Sequence, residues 1–265
     1  MSETLSSRPY AVITGASSGI GMAFARQLAA KGCNLLLTAR RRNRLESLKT
    51  ELEEKYDISA EVLPADLTKL DDILKLEEKI KEISELLYMI NDAGFIINGN
   101  HPEKSTDMIM VHNTAMLRFC QAALVPMTKN NKGYIINVAS SAGFLAVATI
   151  ADYCATKSFI ITYSRCLQCD CSKTNIKIQA LCPGFVRTEI FKTASMLGNP
   201  YEKYVLNFFG MLPERVVKKS LSQIHRCFFR PVIFIPSIFY KILVPFAACY
   251  LLMPLRKLLT AGRMR

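Results

Sequence analysis

Short apolar runs that alternate with longer amphipathic stretches limit this chain to few architectures. The runs fall at 10–14, 34–39, 60–64, 86–91, 133–139 and 177–182. Between them, helical spacing is visible from the turn after residue 14 to about residue 31, then at 41–56, 69–83, 106–130 and 151–172. Strands separated by helices in this rhythm predict a parallel sheet covered on both faces, a doubly wound α/β fold. No internal repeat or low-complexity linker interrupts the pattern, and 265 residues suit one large domain with a substantial core. We place that domain at 1–235, with an apolar, basic extension at 236–265.

The turn between the first strand and first helix reads Thr14-Gly15-Ala16-Ser17-Ser18-Gly19-Ile20-Gly21. Glycines there let backbone approach a pyrophosphate, while the helix start offers unpaired N–H groups and partial positive charge. Ser17, Ser18 and Ile20 belong to the same candidate cradle. A carboxylate at the end of the second strand would bind the adenosine ribose hydroxyls of NAD. Here the run is Thr38-Ala39-Arg40-Arg41-Arg42. Guanidinium groups suit a 2′-phosphate, so NADPH is expected, held chiefly through Arg40 with Arg41 beside it.

Tyr153 and Lys157 stand four residues apart, on one face of a helix. An ammonium beside a phenol favours the phenolate and brings it nearer to proton exchange at neutral pH. Ser140 and Ser141 follow the strand at 133–139. Ligand chemistry in open parallel sheets takes place beyond the carboxyl ends of strands, so either hydroxyl could polarise a carbonyl.

Taken together, Gly15, Gly19, Gly21, Asn91-Asp92-Ala93-Gly94, Asn113, Ser140, Tyr153, Lys157 and Pro183-Gly184 resemble the short-chain dehydrogenase/reductase family over roughly 10–188. The resemblance implies a Rossmann-type domain in which Tyr153 donates a proton and Ser140 holds the substrate carbonyl. Lys157 would bind nicotinamide-ribose hydroxyls and lower the tyrosine pKa, and Asn113 would anchor a water joining Lys157 to solvent. Ser140 is chosen over Ser141 because it lies thirteen residues before Tyr153. Asp66, with Leu67 beside it, matches the position flanking adenine. Asn91, Ala93 and Gly94 would line the cofactor, and Pro183, Gly184, Val186 and Thr188 its nicotinamide side. The usual Asn-Asn-Ala-Gly carries Asp92 at its second place here, a change we expect the turn to tolerate. The strand ending at Arg40 is similar to that of NADPH-using carbonyl reductases, including those acting on steroids or fatty acyl ketones. Reduction of a small hydrophobic carbonyl is expected. The alternatives are oxidation of a secondary alcohol and a catalytically idle NADPH-binding sensor or partner protein. Such proteins often lack a member of the Asn113–Ser140–Tyr153–Lys157 set, which is complete here.

A substrate lid is expected at about 189–226, and the apolar content of its first part, 189–212, favours a hydrophobic substrate. Residues 213–226 read as a helix with a basic face, and 232–235 as a last strand. Of the net charge of +12, nine positive charges and no acid lie in 216–265, which leaves the rest of the chain nearly neutral. Segment 236–255 approaches the length of a membrane span but carries Lys241 and Pro245. With basic residues on both sides it fits an interfacial segment on an anionic membrane surface, a buried oligomer contact, or both. Basic residues interleaved with aliphatic runs do not suit a phosphate-tracking groove, so nucleic acid is not expected as a partner. Nine cysteines after a polar start predict reduced thiols in a cytoplasmic chain, peripheral at a membrane. Cys166, Cys169 and Cys171 lack the second half of a zinc site, and no metal is expected. A homo-oligomer is expected from the family. The chain should sediment with anionic liposomes and lose this when residues from Ser237 onward are removed; unchanged binding by the truncated chain would contradict the interfacial reading.

Overall fold

A computed structural model of the protein describes residues 8–99, 101–147, 149–190, 210–226 and 233–237. The strands are β1 (Tyr10–Thr14), β2 (Asn34–Thr38), β3 (Ala60–Val62), β4 (Leu86–Asn91), β5 (Gly133–Val138), β6 (Ile176–Leu181) and β7 (Ile233–Phe234). They form a parallel sheet in the order β3-β2-β1-β4-β5-β6-β7. The order reverses beside β1, because the chain first builds outward to β3 and then returns to place β4 on the other side. The crevice above β1 and β4 is therefore the switch point where ligands of such sheets bind.

The helices are α1 (Gly19–Ala29), α2 (Arg42–Lys55), α3 (Leu70–Glu82), α4 (Pro102–Ile109), α5 (Met116–Lys129), α6 (Ala151–Asp170) and α7 (Pro213–Arg226). Alternate strand residues feed two cores. Ala11, Ile13, Leu35 and Leu37 pack with Phe24, Leu28, Leu45, Leu52 and Val216, under α1, α2 and α7. Val12, Leu36 and Ile135 pack with Ile73, Leu76, Phe119 and Ile160, under α3, α5 and α6. Both sheet faces being covered explains why the strands read as apolar runs rather than alternating ones. Each helix buries one stripe. In α3 it is Ile73, Leu76 and Ile80, with Asp71 and Asp72 at the start and Lys79 and Lys81 at the end, each sign suited to the helix dipole.

Three boundaries differ from those expected. β3 stops at Val62, although Leu63 N–H still donates to Leu37 O at 3.0 Å and Ala65 N–H to Ala39 O at 3.2 Å. The helix expected from residue 106 begins at Pro102, a residue suited to a first helical position. Between α4 and α5 the helix widens into a π-turn over Met110–Ala115. A short 3-10 turn also follows β5, at Ser141–Phe144. Of the lid, residues 191–209 lie outside the described residues, as does the C-terminal extension from 238 onward. No helix among the described residues is long and apolar enough to cross a membrane. The described residues also contain no His, Cys, Asp or Glu cluster able to hold a metal; Cys166 and Cys169 are exposed and Cys171 is buried.

The strand ends are stitched by buried amides. Asn91 and Asn137 face each other in register, and Asn91 Nδ2 donates to Asn137 Oδ1 at 2.8 Å. Asn137 Nδ2 donates in turn to Ser164 Oγ on α6 at 3.0 Å. Asn137→Ala should destabilise the fold by about 1–3 kcal/mol in urea denaturation, since it leaves the buried Asn91 amide only the weak sulfur acceptor of Cys120; an unchanged midpoint would show the stitch to be dispensable.

Candidate active site

The switch-point cleft is lined on one side by Gly15, Ser17, Ser18, Gly19 and Ile20 of the β1–α1 turn. Arg40, Arg41, Asp66 and Leu67 come from beyond β2 and β3, Ala93 and Gly94 from beyond β4, and Thr188 from after β6. Gly15 has φ of +71°, and a Cβ there would lie 3.0 Å from Ala93 N. A Cβ on Gly21 would stand 2.5 Å from Gly15 O, so Gly21 is needed beneath the turn rather than at the cleft surface. The result is a cradle of backbone at a helix start, free of side chains that would fill it. Thr14 Oγ1 accepts the N–H groups of Asp92 and Ala93, both at 3.0 Å, and so fastens the β4 end to the cradle.

Asn91 is placed differently from its neighbours. It is buried and its amide is committed to Asn137, so any contact with a cofactor would come from its backbone. Asp66 Oδ1 accepts from the N–H and hydroxyl of Thr68 at 3.2 and 2.9 Å, which fixes this wall of the cleft. Arg40 and Arg41 both reach the cleft, but Arg41 has the defined contacts. Its guanidinium donates to Ser17 Oγ and Ser18 Oγ at 3.0 and 3.1 Å and pairs with Glu189 at 3.0 Å.

The remaining residues meet beyond β5 and β6. Ser140 Oγ accepts the Ala142 N–H at 3.1 Å and stands close enough to the Tyr153 hydroxyl to pull its pKa down. Lys157 Nζ donates to Val138 O at 2.9 Å and lies 5.6 Å from the centre of the Tyr153 ring. Asn113, in the π-turn, donates to Thr156 O at 3.1 Å, so it grips α6 between Tyr153 and Lys157. Pro183 O accepts the Ser141 N–H at 2.8 Å, under the same turn. Gly184 follows it at the β6 end, and Val186 is buried in a bridge to Met211.

The sequence profile of the family described as short chain dehydrogenase matches residues 9–196. The chain belongs to the short-chain dehydrogenase family. Human 17-beta-hydroxysteroid dehydrogenase type 3 is 31% identical over 221 residues, covering 81% of this chain and 68% of the relative. Very-long-chain 3-oxoacyl-CoA reductase-B of Danio rerio is 29% identical over 225 residues, covering 81% and 68%. A solved short-chain dehydrogenase from Sphingobium yanoikuyae, in complex with NADPH, superposes with a TM-score of 0.80 at 30% identity, covering 93% of this chain and 95% of that one.

In this short-chain dehydrogenase the reacting end of the cleft is poor in charge. Burial pushes the Tyr153 phenol up to about 12, against Ser140, which lowers it. The sequence expectation was a phenol lowered by Lys157; here Lys157 is turned to Val138 O, and burial outweighs the pull of Ser140. Burial also brings the Lys157 ammonium down to about 8, with Asp92 opposing that fall. Asp92 itself is raised to about 8 by burial, against the charge of Lys157 and the N–H of Gly21. It is half-buried, and the part left open faces the cleft. A nicotinamide dinucleotide fits this arrangement: the backbone cradle can take its pyrophosphate, and Asp92 on the cleft wall lies within electrostatic reach of Lys157.

Several residues shape the site without having been singled out for it. Thr14, Asn137 and Thr156 act through hydrogen bonds that no motif announces, and Glu189 reaches back to Arg41 and Arg44 across a gap in sequence. His112, beside Asn113, is a buried lone histidine with no sequence signal. The carboxyl at Asp92 was visible as a departure, but its consequence depends on how deeply it is held.

Lys157 is charged below about pH 8 and loses its proton above it, whereas Asp92 gains its charge over the same range. A rate that needs the ammonium should therefore fall as pH rises through about 8. Asp92→Asn removes the carboxylate that favours the ammonium, so this limb of the kcat/KM profile should move to lower pH. A limb at the same pH in wild type and variant would show that the two groups are not coupled.

Proposed function

We propose that the chain reduces a hydrophobic ketone or aldehyde, steroid-like or fatty-acyl-like, to the alcohol with NADPH. The observation that carries this is Ser140 close enough to lower the pKa of the Tyr153 hydroxyl, with Lys157 Nζ 5.6 Å from the centre of that ring, together with a cleft bordered by a glycine cradle. A bound nicotinamide supplies hydride to the carbonyl carbon. Ser140 holds the carbonyl oxygen, and Tyr153 gives that oxygen its proton. A phenol that keeps its proton through neutrality is in the right state to donate it. Lys157 places positive charge beside the oxygen as negative charge develops there, and binds the ribose hydroxyls. Asn113 holds α6 and anchors the water that returns a proton from solvent. Arg40 and Arg41, with no carboxylate at the end of β2, support a 2′-phosphate over a free ribose hydroxyl.

The substrate class rests on the steroid and very-long-chain acyl substrates in the names of the two relatives, and on the apolar residues of 189–212. The basic extension supports attachment to an anionic membrane surface. Exposed Val125 on α5 and Phe159 on α6 support a homo-oligomer. The decisive assay follows NADPH absorbance with a panel of hydrophobic ketones and aldehydes. Tyr153→Phe should lose at least about 100-fold in kcat while still binding NADPH, and NADH should bind more weakly than NADPH. Turnover of no carbonyl despite tight NADPH binding would favour the sensor reading; equal affinity for NADH would remove the 2′-phosphate argument.

A further inference from the structure

His112 takes no part in the proton path above, yet it joins both halves of the site. It lies in the π-turn, only 1% exposed. Phe95 N–H donates to its Nε2 at 3.0 Å. A backbone amide can only donate, so Nε2 is the acceptor nitrogen and the neutral ring carries its proton on Nδ1. Nδ1 stands 3.0 Å from Thr156 Oγ1 and donates to it. Thr156 Oγ1 donates onward to Tyr153 O at 2.9 Å. The direction of every bond in this chain is thus set from its first member, the Phe95 amide.

The neighbours of the ring leave it little freedom. A Cβ on Gly94 would lie 2.6 Å from Nε2, so the cofactor loop packs directly on the imidazole. Phe95 and Tyr153 lie against it at 5.9 Å between ring centres, the latter edge-on. Asn113, the next residue, bonds the carbonyl of the same Thr156. Burial, and then the charge of Lys157, hold the imidazole well below its usual pKa, so it stays neutral and the chain keeps its direction.

We propose that His112 is a positioning residue, whose imidazole holds Thr156, and through it the Tyr153–Lys157 turn of α6, at a fixed distance from the cofactor loop at Gly94–Phe95. The inference rests on Tyr153 and Lys157 being the reacting pair. Reacting groups lose rate steeply when displaced by an ångström, so a spacer between the two halves of the site acts on kcat more than on binding.

Three variants separate its two bonds. Gln in place of His112 can present an acceptor to Phe95 N–H but no donor to Thr156, Asn can present a donor to Thr156 without reaching Phe95, and Thr156→Val removes the hydroxyl at nearly constant shape. His112→Gln and Thr156→Val should each lower kcat about 10- to 100-fold, with the NADPH dissociation constant within about threefold of wild type. The double variant should be no slower than the slower single one, and His112→Asn, which keeps the donor to Thr156 but gives up Phe95, should lose rate to a similar extent. Losses that multiply, or kcat and NADPH affinity falling together, would overturn the proposal. A second measurement needs neither a substrate nor a stable variant at His112. The chain has three histidines, and in wild type the NMR shifts of His112 should report the Nδ1–H tautomer from about pH 5.5 to 9. Its Nδ1 proton should exchange slowly and be released by Thr156→Val. The other tautomer, titration within that range, or exchange unaffected by Thr156→Val would overturn it. A wild-type chain that reduces no carbonyl would sink the reductase reading alone, and the tautomer and exchange results would still decide this one.

Discussion

The amide pair Asn91–Asn137, enclosed between the two central strands, governs what emerges from the carboxyl edge of the sheet. A slip of one residue in a strand turns every side chain to the opposite face. In the observed register both amides meet, and Asn137 reaches on to Ser164 of α6. In a slipped register they would be buried among aliphatic side chains with nothing to bond, a cost that apolar residues at the same places would not impose. The polar pair therefore specifies register where the surrounding apolar packing alone could not. Once that register is set, β4 delivers Asp92, Ala93 and Gly94 to the cofactor cleft, and β5 delivers Ser140 to the reacting end.

The fold was legible in the sequence because its signal is carried by many residues at once. Six strands and most helices follow from apolar periodicity, and the glycine turn marks the ligand edge. What escaped was local. The π-turn at Met110–Ala115 cannot be told from a regular helix by periodicity, since six residues span little more than one turn of either. The start of α4 at Pro102 was hidden because 102–105 offer no apolar stripe to read. In the site, residues with a family pattern were found, whereas Thr156 and His112 act through burial and pairing across some forty residues of chain. Of the basic run after β2, Arg40 and Arg41 line the cleft. Which arginine bonds Ser17 and Ser18 depends on how the chain turns into α2, and the geometry puts Arg41 there.

Glu189 adds a point of energetics at this edge. It bridges Arg41 and Arg44 at 3.0 and 2.8 Å, with all three side chains between two fifths and a half exposed. Exposed pairs of this kind contribute at most about 1 kcal/mol each. An anion with more charge and more acceptor oxygens, such as a phosphate, can displace the carboxylate at small cost. The same contact ties Glu189 to the basic end of the cleft.

Charge at the reacting end follows one rule. Tyr153 and Asp92 are pushed up, His112 and Lys157 down, and in each case burial is the largest cause. Every shift favours the neutral form, as expected of groups taken out of water together. Asp92 and Lys157 each oppose the other's shift, so the pair takes up and gives off protons jointly, while burial keeps the phenol and the imidazole neutral. Positive charge at Lys157 in a poorly solvated pocket stabilises negative charge on the reacting oxygen in the transition state that both directions of the reaction share. The oxidation reading would need Tyr153 ionised to take a proton, a state that burial opposes. The desolvation that packs the two halves of the site together thus also sets how readily its groups take or give protons.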